Sequence, residues 1–164
     1  MESTHKQKEE FINLLDRNQG IIHKISILYS STHHDKEDLF QEICLQLWRS
    51  YTRFRGDSSF STWMYKVALN TAISYFRKGQ REIPVENIIP VYNESADDDS
   101  NDEYSNLLYN AIGKLSRVDR ALILLWLDEK SYEEIASIIG ITKTNVSVKL
   151  VRIKKTLENM LKVR

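Results

Sequence analysis

Residues 131–155, SYEEIASIIGITKTNVSVKLVRIKK, constrain this chain more than any other stretch, because they join two short helical patterns, a glycine between them and a one-sided basic tail. A helix-turn-helix unit needs a small residue where its helices touch, a turn residue tolerant of positive φ and a β-branched anchor on the second helix. Ala136, Gly140 and Val146 supply these at separations of four and six. Ser131 and Glu134 have capping-box spacing, in which the serine hydroxyl accepts from the Glu134 amide and the carboxylate returns the bond. Ile135, Ile138 and Ile139 make the buried side of the first helix. On the second, Val146, Leu150, Ile153, Leu157 and Leu161 recur on one apolar stripe. At about 100° per residue, Asn145, Val148, Lys149, Arg152 and Lys155 fall on the other side. Cations there suit phosphates, and side chains near the start of such a helix reach base edges in a major groove. The pattern predicts a DNA-contacting unit.

The formal net charge of zero conceals a segregation along the chain. Residues 1–47 carry 5 basic and 8 acidic groups, and residues 48–82 carry 7 and 2. Residues 83–103 carry 7 acidic groups and no basic one, and residues 104–164 carry 11 basic and 6 acidic. Two basic blocks separated by an acidic spacer predict two contacts with a polyanion. The only two prolines, Pro84 and Pro90, lie in the spacer with the run at 94–103, ESADDDSNDE, so it reads as a flexible linker. Elsewhere the periodicity is helical, with segments near 6–30, 35–51, 60–78, 104–115, 117–128, 131–139 and 143–161. The expected fold is all-α, with two small domains: an N-terminal helical bundle (1–82) and a C-terminal helix-turn-helix domain (104–164), joined by the acidic linker (83–103). Cys44 is the only cysteine, which excludes an intrachain disulfide. With a charged N-terminal stretch and no run of 18 apolar residues, the chain is expected to be soluble and cytoplasmic, without membrane insertion of its own.

The first domain carries two further faces. In residues 61–78, Trp63, Lys66, Asn70, Ser74 and Arg77 share one side, and Met64, Tyr65, Ala68, Leu69, Ala72, Tyr75 and Phe76 lie opposite as core. The first group mixes an aromatic ring, cations and an amide, which suits stacking on an unpaired base, holding phosphates and bonding a base edge. The glycine-containing loop at 54–60 just before it offers polar groups for one extruded base. On the preceding helix Phe40, Ile43, Cys44, Leu47 and Tyr51 form an apolar stripe, while Asp38, Gln41, Glu42, Leu45 and Arg49 form a mixed polar side edged by Trp48. Apolar atoms ringed by charge there mark a protein contact.

In this order the pieces resemble the bacterial sigma factors of the extracytoplasmic-function (ECF) group. DLFQEICLQLW (38–48) is similar to the family's core-polymerase-binding helix, and FRGDSSFSTWMYKVALNTAISYFRK (54–78) to its promoter-melting and minus-ten-reading segment. The stretch at 131–155 is similar to its minus-thirty-five-reading motif. The resemblance implies that Asp38, Gln41, Glu42, Leu45 and Trp48 grip the β′ clamp of RNA polymerase core, with the β flap as a second polymerase contact. It implies minus-ten roles for Asn70, Arg77 and Lys78 with Arg55, Asp57 and Ser58 of the loop, beside Trp63, Lys66 and Ser74. Thr144, Asn145, Val148, Lys149, Arg152 and Lys155 are then the minus-thirty-five set. Ser147 and Val148 stand where the family commonly has a basic residue and a serine, and Ile153 where a small residue is usual. The implied partners are core polymerase, promoter DNA and, as a candidate, a cognate anti-sigma factor.

Two rivals are weaker. A stand-alone helix-turn-helix regulator needs dimerisation to read a two-fold site, and the chain has no sustained heptad. An enzyme would have to rest on His34, Asp38 and Glu42 as metal ligands, without a second ligand cluster. There is no P-loop, paired-cysteine zinc motif or nucleophile elbow. No catalytic residue, resident metal or cofactor is expected.

Overall fold

The computed structural model describes residues 1–77 and 99–162. Its helices are α1 (Glu2–Leu28), α2 (His33–Ser50), α3 (Phe60–Arg77), α4 (Asp99–Gly113), α5 (Arg117–Leu127), α6 (Tyr132–Ile139) and α7 (Lys143–Lys162), with a 3₁₀ turn at Tyr51–Arg53. Among the described residues there is no strand. Short polar side chains start several of the helices. Thr32 accepts from the Asp35 amide at 3.0 Å, Ser116 from Asp119 at 3.2 Å and Thr142 from Asn145 at 3.1 Å. Each satisfies a backbone donor that the first turn leaves without a partner.

The capping box of α6 is present: Ser131 Oγ accepts from the Glu134 amide at 3.1 Å, and the Ser131 amide donates back to the Glu134 carboxylate at 3.5 Å. α6 ends at Gly140 in the left-handed region (φ 82°), and the amides of Gly140 and Ile141 both return to the Ala136 carbonyl. A side chain in that conformation is strained, so Gly140→Ala is expected to lower unfolding free energy by about 1–2 kcal/mol in urea titrations.

α1, α2 and α3 pack around Ile22, Ile25, Leu39, Ile43, Leu47, Met64 and Leu69, and α4 to α7 around Ile112, Leu122, Ile135, Val146, Leu150 and Ile153. Three details differ from the sequence pattern. The stripe of α2 is rotated onto Leu39, Ile43 and Leu47, while Phe40, Cys44 and Tyr51 flank it half-buried, because α1 approaches from one side and places His23 against the Phe40 ring at 4.6 Å. The stripe of α7 ends at Leu157; Leu161 is 43% exposed and Met160 packs on the core instead. Residues 99–103 of the expected linker form the start of α4. The rest of that linker, 83–98, lies outside the described residues.

The two bundles, expected to hang on a tether, touch. Lys24 pairs with Asp128 at 2.8 Å, and the Tyr29 hydroxyl donates to the Arg117 carbonyl at 2.6 Å. Arg120 donates to Leu28 O at 2.6 Å, and Thr62 Oγ1 donates to the Glu134 carboxylate at 3.1 Å. Lys130 reaches Ser61 Oγ at 3.1 Å and Thr62 Oγ1 at 3.3 Å. Burial pushes the Glu134 carboxyl upward, but hydrogen bonds from Ser131 and Thr62 and the Lys130 charge outweigh it and hold the group below its ordinary value.

Candidate nucleic-acid interface

α7 is held by one side and presents the other. With Val146, Leu150, Ile153 and Leu157 buried against α5 and α6, the side chains of Thr144, Asn145, Val148, Arg152 and Lys155 are exposed and Lys149 is half-exposed. The expected minus-thirty-five set is therefore on one accessible half of one helix. Ile153 is buried in the stripe, as its position predicts. Arg152 leans toward Asp119 of α5 at 3.8 Å, and Lys143 pairs with Glu133 of α6, so two cations at the rim are pre-positioned by acidic neighbours. The hydrogen bond from Lys143, then a backbone hydrogen bond and the Lys143 charge, keep the Glu133 carboxyl below its ordinary value. Val151 was not among the expected contacts, yet it is 62% exposed beside Val148. Its placement one turn from Val148 and away from the buried stripe was the available signal.

On α3, Lys66, Asn70 and Ser74 are exposed at i, i+4 and i+8, one straight row. Trp63 begins the same row, but its ring packs 5.2 Å from Phe54, 5.4 Å from Phe60 and 6.3 Å from Tyr51, and it is half-buried. Arg55, Asp57 and Ser58 are exposed in the loop. Phe54 and Phe60 turn into the aromatic cluster, and a groove of about 320 Å³ opens instead between α2 and α3. Glu42, Gln46, Asn70, Thr71, Ser74 and Tyr75 line it, joining the Asn70 row to α2. Gln46 donates to Glu42 at 2.9 Å, the i,i+4 spacing that would have flagged it. Burial, then the charges of Asp38, Glu42 and Asp35, raise the Tyr75 hydroxyl pKa, so the wall from α2 is electronegative. Arg77 ends α3, with its side chain outside the described set, as is Lys78 altogether.

The outer side of α2 faces away from Leu39, Ile43 and Leu47. Leu45 is 41% and Trp48 38% exposed there, beside exposed Gln41 and half-exposed Asp38 and Glu42. The Trp48 ring leans on Phe11 of α1 at 5.0 Å, which fixes it without hiding it. Such an apolar centre in an acidic rim is the composition of a protein-binding surface. His34 Nε2 lies 3.4 Å from the Asp38 carboxylate, and among the described residues no three His, Cys, Asp or Glu side chains gather as a metal site.

A basic outward helix face on one bundle, with a polar helix row and an apolar, acid-rimmed face on the other, is the make-up of a two-part helical DNA-binding protein. The chain matches the family described as Sigma-70 region 2 over residues 14–82 and that described as Sigma-70, region 4 over residues 105–157. It belongs to the sigma-70 family and is a sigma factor of the extracytoplasmic-function group. It is 29% identical to the ECF RNA polymerase sigma-E factor of Haemophilus influenzae over 93% of this chain and 87% of that one. With the ECF RNA polymerase sigma-E factor of Escherichia coli K12, identity is 29% over 84% and 80%. Among solved structures it is similar to the sigma factor RpoE of Bartonella quintana in complex with the anti-sigma factor NepR, with TM-score 0.69 and 25% identity over 95% and 96% of the two chains. CnrH in complex with the cytosolic domain of CnrY shares the fold, with TM-score 0.68 and 18% identity over 94% and 88%. The stand-alone regulator is not favoured, since the first bundle is itself a sigma region. No described helix is long and apolar enough to cross a membrane.

Proposed function

We propose that this chain acts by carrying core RNA polymerase to promoters with two readers, α7 at the minus-thirty-five element and the α3 row with the 55–58 loop at the minus-ten element. The observation that carries the proposal is the presence of two outward faces, each lying in a matched sigma region and each set opposite its own bundle core. Asp38, Gln41, Glu42, Leu45 and Trp48 are the polymerase grip, and the β flap receives the C-terminal domain. Asn70 and Ser74 offer donors and acceptors to an unpaired base at the α2–α3 groove, while Lys66, Arg77 and Lys78 hold the strand's phosphates. Melting then comes from capturing unstacked bases, not from bond chemistry, so the chain is a non-enzymatic factor acting in the cytoplasm. The complex of the similar Bartonella quintana sigma factor with the anti-sigma factor NepR supports a cognate anti-sigma partner here.

Run-off transcription tests this reading: core polymerase with the chain should initiate at defined start sites, and core polymerase alone should not. Equally tight, specific promoter binding by the free chain and by the holoenzyme would overturn it. Asn70→Ala is expected to reduce open-complex formation about tenfold, within the range of one good base contact, with the melting temperature unchanged. Lys149→Ala should weaken holoenzyme binding to all sequences alike and lower the salt slope by about one.

A further inference from the structure

Val148 and Val151 are 64% and 62% exposed, the most exposed apolar side chains of α7. At about 100° per residue they lie about 60° apart with exposed Thr144 between them, on the line opposite Val146, Leu150, Ile153 and Leu157. One exposed valine is ordinary. Three β-branched residues on a solvent-facing line are not what helix stability selects, since they are weaker helix formers than alanine or lysine and gain no burial there. Lys155 lies in line with them and Arg152 and Lys149 flank them on one side, so the patch complements a polyanion with apolar features.

Valine has neither donor nor acceptor, and the apolar feature that a major groove displays is the 5-methyl group of thymine. We infer that Val148 and Val151 read thymine methyls in the minus-thirty-five element, with the neighbouring cations on flanking phosphates. This rests on the proposal that α7 enters that groove. Three residues advance a helix by about 4.5 Å, between one and two base-pair steps of about 3.4 Å. The two thymines therefore lie on adjacent base pairs or one pair apart, on either strand.

The test uses holoenzyme made with the full chain and a promoter whose elements are located by start-site mapping. Each thymine of the minus-thirty-five element is replaced in turn by deoxyuridine, which keeps the pairing and removes only the methyl. Two positions at that spacing should each weaken binding about fourfold, the worth of one buried methylene-sized group. The double variant Val148→Ala, Val151→Ala should bind thymine and deoxyuridine promoters equally, while melting at the same or a higher temperature. The inference is overturned if no thymine occupies that window, if deoxyuridine has no effect, or if its effect persists in the double variant. It is also overturned if the variant loses polymerase assembly instead of base discrimination, which would make the patch a protein contact. If replacing the whole element leaves binding unchanged, the groove assignment of α7 itself fails.

Discussion

A chain whose bundles are tied together at Thr62 and Glu134 should lose promoter-directed transcription almost completely. These side chains bond across the interface at 3.1 Å, so cysteines placed there in a Cys44→Ser background are within reach of a short, reducible thiol cross-linker. Cys44 is half-buried with its thiol pKa raised by burial, and its removal keeps the chemistry at the new pair. The expected loss follows from distance. Promoter elements about 25 base pairs apart are separated by about 85 Å of duplex at 3.4 Å per pair. A compact chain of 164 residues has a radius of gyration of about 15 Å, so the docked bundles cannot place both readers at once. Run-off transcription should fall at least a hundredfold on cross-linking, by this argument on the steeply distance-limited second contact, and return when reductant cuts the linker. Undiminished transcription by the cross-linked chain would sink the requirement for opening. The uncross-linked double variant is the control for loss of the Glu134 capping role.

Arg120→Ala should be strongly destabilising, lowering unfolding free energy by about 3 kcal/mol in urea titrations. Arg120 is 7% exposed, and its guanidinium donates to Leu28 O at 2.6 Å, Gly113 O at 2.8 Å and Leu115 O at 3.1 Å. Leu28 ends α1 and Gly113 ends α4, so one cation serves carbonyls at two helix C-termini, where the dipoles favour positive charge. It also lies 5.1 Å from the Tyr29 ring centroid. Burial pushes the Arg120 pKa down and that of Tyr29 well above its usual value, which keeps the phenol neutral beside the guanidinium at physiological pH. Removing the fork strands buried carbonyls, and a lysine point donor cannot reach all three, so Arg120→Lys should recover less than half of the loss. A cost under 1 kcal/mol would contradict this role.

Much of the fold was legible because its signals are local. The Ser131–Glu134 box, Gly140 and the Val146 to Leu157 stripe depend on residues within a turn or two of each other, and each stands where its spacing predicts. The α7 and α2 faces were legible for the same reason, since a helix with a buried side exposes the other. Trp63 was less so: its row on α3 is visible in sequence, but its burial depends on Phe54, Phe60 and Tyr51 arriving from the preceding turn. The α2–α3 groove needs Gln46 and Ser74, side chains on different helices, and no periodicity within one segment reports that meeting.

Sequence alone determined the all-helical class, the helix-turn-helix, the charge division and the surfaces that face outward, because periodicity, capping and composition act over a few residues. Only the tertiary structure decided that Arg120, Tyr29, Thr62, Lys130 and Glu134 close one bundle on the other. Those contacts join residues up to 92 positions apart, and their partners are chosen by how the helices pack rather than by any pattern along the chain.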